Sequence, residues 1–173
     1  MRPPRPTSVI IAAFVTLAGI AGAEAPATAP KPAIATPALG QIATALATEI
    51  ALFGKEAVVF GAPLGSDEPA PRAGELTAKL TGLVAGALGP GATARQESVP
   101  LATAQALAKG AKALVFVQAE IAAGQLRASA DVYHTTRNVW DRARRPAPAP
   151  FAHAFASARL DAEVRAYLAP LPL

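Results

Sequence analysis

Apolar residues recur three and four positions apart in two long stretches of the chain. The first stretch covers residues 38–53, and its polar residues lie on the opposite side. The second covers residues 72–88 and stops at a Gly-Pro-Gly sequence. This spacing is typical of amphipathic helices, which glycine and proline end. We therefore predict two main helices here, with shorter helices over residues 100–108 and 161–168.

Runs rich in β-branched residues, or with alternating apolar and polar positions, predict four strands. They cover residues 57–64, 93–99, 113–121 and 125–134. The first ends at a group of turn-forming residues, 65–69, which we assign to a loop. The second is short and polar, as an edge strand would be.

The last two strands are predicted to pair as an antiparallel hairpin around Ala123-Gly124. This register places apolar residues opposite one another on one face: Val115 and Val132, Val117 and Ala130, Ala119 and Ala128, and Ile121 and Leu126. The other face then pairs Glu120 with Arg127 and Gln118 with Ser129. One buried face and one wet face are what such a pair requires. Because alanine is unfavourable at the first position of a primed turn, a longer, bulged loop is the alternative.

These elements together indicate an α/β domain, with α+β as the alternative class. The expected architecture is a small mixed sheet with a C-terminal antiparallel hairpin, covered by two or three amphipathic helices. Alanine supplies much of the 52% hydrophobic content. Since alanine buries little area, we expect a thin core.

The N-terminus has the three parts of a secretory signal peptide. Arg2 and Arg5 give a positive start, residues 9–20 are apolar, and Ala21-Gly22-Ala23 matches the small-residue cleavage rule. Ala23-Glu24-Ala25 is an alternative cleavage site, and an uncleaved anchor is the alternative role. Since the apolar run is short for a span of ~20 residues, we predict a bacterial protein exported to the periplasm or beyond, with no membrane span after cleavage.

Composition divides the chain into four predicted parts. The signal peptide covers residues 1–23, a Pro/Ala-rich linker 24–37, the α/β domain 38–145, and a Pro-rich extension with a short helix 146–173. Proline-rich runs of this kind form extended spacers.

Charge and cysteine content exclude two classes of protein. The formal net charge is +4; without Arg2 and Arg5 of the leader, fourteen basic residues remain against twelve acidic ones, a net charge of +2. This is too small for the phosphate neutralisation on which nucleic-acid binding depends. The chain contains no cysteine, so it is not a disulfide scaffold and has no lipid anchor on that residue.

No catalytic or metal-binding pattern stands out in the sequence. Acyl transfer needs a nucleophile, a base and an orienting acid, but there is no G-x-S-x-G motif and the only histidines are His134 and His153. Together with Asp131 and Asp141, these are the candidate metal ligands, and their spacing matches no known site. We predict no catalytic residues, no metal and no cofactor.

Four glycines lie within and just after the second long helix: Gly82, Gly86, Gly89 and Gly91. A phosphate-binding loop would instead open a helix after a strand. We expect these glycines to allow close helix packing and then to end the helix.

Residues 134–145 form the one stretch with binding character. The sole tryptophan, Trp140, lies among Arg137, Arg142, Arg144 and Arg145. Because tryptophan and arginine are common anchors of protein interfaces, we predict that these five residues bind an envelope protein or another acidic partner. In the alternative, Trp140 plugs the open end of the sheet and the arginines solvate a loop.

Two resemblances accompany this pattern. Residues 107–140 (LAKGAKALVFVQAEIAAGQLRASADVYHTTRNVW) resemble the N-terminal α/β domain of TolB and the related CsgG-like envelope proteins, in which a helix ending in Ala/Gly leads into a strand and a hairpin. Residues 139–173 look like a segment of secreted proteins in which FG-GAP/VCBS repeats follow. Both resemblances imply an envelope assembly or binding module, although fold alone does not fix function.

The sequence therefore predicts an exported, non-enzymatic envelope protein that acts as a protein-interaction or assembly module. One alternative is a small-ligand-binding or hydrolytic enzyme whose site is built from scattered residues. Another is a structural spacer of a larger FG-GAP/VCBS-type protein.

Overall fold

The computed structural model describes residues 36–137, 139–144 and 147–170, without the side chains of residues 141 and 142. The predicted signal peptide and all but the last two residues of the predicted linker lie outside this range. Within the described ranges, no helix has the length and apolar character needed to cross a membrane.

Five helices and six strands make up the described part of the chain. The helices are α1 Ala38–Gly54, α2 Ala73–Leu88, α3 Leu101–Leu107, α4 Val139–Arg144 and α5 Ala162–Leu168. The strands are β1 Ala57–Gly61, β2 Gly65–Ser66, β3 Thr93–Ser98, β4 Ala113–Ala122, β5 Gln125–His134 and β6 Ala152–Arg159.

The strands form one mixed sheet in the order β3-β1-β4-β5-β6, with β2 paired to β4 off this path. β1 is parallel to β3 and β4, and β2 is also parallel to β4. β5 is antiparallel to β4 and to β6. The predicted α/β class, with a mixed sheet and an antiparallel hairpin, is confirmed.

The hairpin has the predicted register along its whole length, from Ala113 opposite His134 to Ala122 opposite Gln125. Its turn differs from the longer, bulged alternative. Ala123 and Gly124 alone connect the strands, with φ angles of 51° and 72°. Two successive positive φ angles match the right-handed twist of paired strands. Alanine accepts the unfavourable left-handed conformation here because ten pairs on the two strands fix the turn.

Two strands were not predicted from the sequence. The predicted Pro-rich extension, residues 146–173, contains the edge strand β6, because Ala152–Arg159 pairs with β5. Alternate residues of β6, Ala154 and Ala156, are buried in the main core. The predicted loop of residues 65–69 contains the other strand, because Gly65 and Ser66 pair with β4 as β2.

The main core lies between one face of the sheet and helices α1, α2 and α5. Its fully buried large side chains include Leu39, Ile42, Leu46, Ile50, Leu76 and Leu80. On the opposite face, a smaller core surrounds Phe60 and Phe116 beneath α3. Because α3 has only seven residues, it covers one end of that face. The wet side of the hairpin continues beyond it.

Glycine marks the close approach of β1 to α2. A Cβ atom at Gly61 would overlap Thr77 Cγ2 and would lie 2.7 Å from Thr81 Oγ1. By contrast, nothing lies within 4 Å of a Cβ atom at Gly82 or Gly86. The expectation that these two glycines allow close helix packing is therefore wrong, because they face open space.

We expect Gly61→Ala to lower the free energy of unfolding by about 1–3 kcal/mol, because the added methyl group must displace two buried threonines. The matched control Gly82→Ala should raise it by up to about 1 kcal/mol, because alanine favours helix. Urea unfolding of both variants measures the difference. Equal stability of Gly61→Ala and the wild type would contradict the tight contact.

Asp161 joins the two ends of the domain. Its Oδ1 accepts a hydrogen bond from Val164 N at 2.9 Å, which caps α5, and its Oδ2 accepts one from Ala38 N at 2.7 Å at the start of α1. Burial alone would raise the pKa of Asp161, but the backbone N–H groups of Val164 and Ala38 outweigh it and hold the pKa below its usual value.

This depressed pKa predicts a pH-dependent contribution to stability. The carboxylate stabilises the fold above its unfolded-state pKa of ~3.9, and this contribution is lost as the pH falls through the lower folded-state pKa. At neutral pH, Asp161→Ala should cost about 1 kcal/mol, as the loss of a helix cap does, whereas Asp161→Asn should retain part of the cap. The difference between wild type and Asp161→Ala in urea unfolding should narrow from pH 7 to pH 3. A difference that does not change with pH would argue against this role.

Candidate functional site

The predicted partner-binding residues lie on and around α4. Trp140 is 77% exposed and its neighbour Val139 is 68% exposed. Trp140 therefore does not plug the end of the sheet, which was the alternative considered from the sequence. Arg144 is exposed at the end of α4. The side chain of Arg142 and the whole of Arg145 lie outside the described residues.

Arg137 and Arg144 come together at one cavity of about 430 Å³. Its other lining residues are Tyr133, His134, Thr136, Pro148, Ala149, Pro150 and Phe151. The His134 ring stacks on Phe151 with 4.0 Å between ring centroids. The cavity therefore combines two guanidinium groups with a stacked aromatic wall, an arrangement suited to a carboxylate-bearing partner.

Asp131 and His153, two of the four candidate metal ligands, meet on neighbouring strands. They are directly opposite in the β5–β6 register, and His153 Nδ1 lies 2.5 Å from Asp131 Oδ1. Gln118 Nε2 donates a hydrogen bond to Asp131 Oδ2 at 3.3 Å. His134 lies at the other cavity, and the side chain of Asp141 is not described.

Asp131 is 8% exposed and is the one charged residue classed as buried among those that the structure describes. A buried carboxylate needs hydrogen-bonding partners, which His153 and Gln118 supply. Burial of the neighbouring Tyr133 side chain, followed by the charge of Asp131, raises the pKa of the Tyr133 hydroxyl.

The chemistry open to this pair is limited. A carboxylate accepts hydrogen bonds, so Nδ1 of His153 is the donor in this contact and Nε2 remains for a second hydrogen bond. In the described ranges, no group of three or more His, Cys, Asp or Glu side chains could hold a metal ion. The pair by itself lacks the nucleophile that acyl transfer requires.

The pair borders a depression of about 480 Å³ on the open face of the sheet, which we call the sheet trough. Its lining residues are Ala62, Pro63, Gly65, Gln118, Ala119, Glu120, Arg127, Ala128, Ser129, His153 and Phe155. The wet face of the hairpin is predictable from the sequence, but the place of Phe155 on it depends on β6, which was not predicted. The available signal was the alternation of alanine with larger residues in AHAFASAR, residues 152–159.

Comparison with known proteins gives little guidance. No protein-family model matches the chain, and no curated protein matches it. Among solved structures, the C-terminal domain of LpoB from Salmonella enterica is similar, with a TM-score of 0.45 and 9% sequence identity. The match covers 70% of this chain and 98% of that one. The resemblances to TolB, CsgG-like and FG-GAP/VCBS proteins stay predictions.

Proposed function

We propose that this protein is an exported, non-enzymatic module of the bacterial cell envelope that binds a protein partner through α4 and the residues around it. The observation that carries the proposal is the 77% exposure of Trp140 beside an exposed Val139. A tryptophan supplies a large apolar area that water hydrates poorly. Tryptophan is one of the residue types that most often contribute strongly to the binding free energy of an interface.

The arginines favour an acidic partner surface. Arg137 and Arg144 contribute to one cavity, and guanidinium groups bind carboxylates with paired hydrogen bonds. Such charges also speed encounter with an acidic surface and select against a basic one. The exposed Trp140 and the arginine-lined cavity together therefore support binding to a protein more than to an uncharged small molecule.

The enzyme alternative has one supporting observation, the contact between Asp131 and His153. In the described part of the chain, however, His153 is hydrogen-bonded to Asp131 through Nδ1, and no hydroxyl is hydrogen-bonded to its Nε2. A binding role therefore requires fewer additional groups than a hydrolytic one.

Export predicts a shortened mature chain. When the full chain is expressed in a Gram-negative host, intact-mass measurement of the periplasmic fraction should show a mature N-terminus at Glu24 or Pro26, because cleavage follows Ala23 or Ala25. The control Leu17→Arg interrupts the apolar run and should keep the protein unprocessed. Retention of the unprocessed wild type in the cytoplasm would refute the proposed location.

The interface prediction is tested first by identifying the partner and then by measuring its affinity. Benzoylphenylalanine in place of Trp140 should photo-crosslink a partner in envelope preparations. Trp140→Ala should then weaken binding of that purified partner at least about tenfold, since a buried tryptophan anchor contributes more than about 1.4 kcal/mol. Calorimetry measures the affinity.

Leu52→Ala is the matched control, because Leu52 is 83% exposed on α1. It should bind the partner with wild-type affinity. Equal affinities of Trp140→Ala and the wild type would eliminate α4 as the interface.

A further inference from the structure

The sheet trough is built from three cross-strand rows on the open face. Asp131 and His153 form the first row, and Gln118, Ser129 and Phe155 form the second. The third contains Glu120, Arg127 and Ser157. Because side chains alternate between the two faces of a strand, all these residues lie on the face opposite the main core.

The depth of the trough comes from Ser129 at the centre of the middle row. Its short side chain lies between two longer ones, Gln118 on β4 and Phe155 on β6. The connection from β1 to β2 supplies the opposite wall through Ala62 and Pro63. Ala62 N donates a hydrogen bond to Val117 O at 2.7 Å, which holds this connection against the sheet. The volume of about 480 Å³ lies within the ~300–1,000 Å³ of small-molecule sites.

The two exposed charges of the trough compensate each other, because Arg127 Nη1 lies 3.5 Å from Glu120 Oε1. The third, on Asp131, is buried and hydrogen-bonded to His153 and Gln118. The pairing of Arg127 with Glu120 offers an ion little exposed net charge, but within the described part of the chain it leaves donors and acceptors unused. These are the other N–H groups of Arg127, the second oxygen of Glu120, the hydroxyl of Ser129 and Nε2 of His153. Hydroxyl groups, which both donate and accept, match this mixed set.

Phe155 gives the trough an apolar wall. It is 56% exposed, because its side chain points to the open face of the sheet while those of its neighbours Ala154 and Ala156 point into the main core. A flat exposed ring beside hydrogen-bonding side chains suits a ligand with one apolar face and a polar rim. A pyranose ring has this form, because its C–H groups lie on its faces and its hydroxyls at its edge.

We propose that the sheet trough binds a neutral saccharide, with Phe155 against the sugar face and Gln118, Ser129 and the Glu120–Arg127 pair hydrogen-bonded to its hydroxyls. The site is separate from the α4 interface, since none of these residues lies on α4 or lines the Arg137–Arg144 cavity. A test of saccharide binding therefore does not depend on whether α4 binds a protein partner.

The experiment titrates the ¹⁵N-labelled full chain with cellotriose, maltotriose and chitotriose, followed by two-dimensional NMR. At about 10 mM sugar, above the ~1 mM Kd of a weak site, at least one trisaccharide should shift the amide resonances of residues 118, 129, 153 and 155. Absence of shifts at these residues with all three sugars would overturn the proposal. Trigalacturonate, an anionic trisaccharide, should bind at least tenfold more weakly than the best neutral sugar, and tighter binding of the acid would equally overturn it.

Four variants test which residues carry the binding. Phe155→Ala should weaken binding at least tenfold, whereas Phe155→Trp should retain it by keeping an aromatic face. Ser129→Phe should abolish binding by filling the trough, without altering the main core on the opposite face. Trp140→Ala, the exposed aromatic outside the trough, should bind the sugar as the wild type does. Wild-type binding by both Phe155→Ala and Ser129→Phe, with unchanged melting temperatures, would overturn the assignment.

Discussion

The antiparallel pairing of β4 with β5 positions every other part of the sheet. It joins ten consecutive residue pairs, and both strands are central, so β1 and β2 attach to the outer side of β4 while β6 attaches to the outer side of β5. Its register also decides which residues face α1 and α2. A shift by one residue would turn the apolar set towards water and the Glu120–Arg127 pair into the core.

The two faces of this sheet are covered unequally, and the sheet trough follows from that difference. Small side chains such as Ala128, Ala130 and Ala154 on the core face permit close packing of α1 across β5 and β6. Among the helices in the described ranges, the short helix α3 covers one end of the opposite face, above Phe60 and Phe116. What remains uncovered is a polar sheet surface with one aromatic residue, Phe155.

The two candidate surfaces differ in physical character. The α4 surface presents a protruding tryptophan, whose burial requires a partner large enough to enclose it. The sheet trough is concave, its exposed Arg127 is paired with Glu120 and its Asp131 is buried, so it suits a smaller uncharged ligand. A chain with a thin, alanine-rich core can carry both because each uses side chains that point away from that core. Substitution at either surface is therefore expected to leave the fold intact.

The local pattern of the chain was sufficient to predict the main helices and the hairpin register, because one buried and one wet face impose periods of 3.6 and 2 on neighbouring residues. It did not predict β6, where alanine gives weak contrast between buried and exposed positions and a proline-rich run precedes the strand. Nor could it predict the contact of Asp131 with His153, which depends on β6 taking its place beside β5. The left-handed conformation of Ala123 was likewise set by the paired strands against the preference of the residue. The periods of helices and strands depend on residues close together in the sequence, so the sequence alone predicts them. The pairing of the edge strand β6 and the shape of the trough depend on segments far apart in the sequence, so only the tertiary structure decides them.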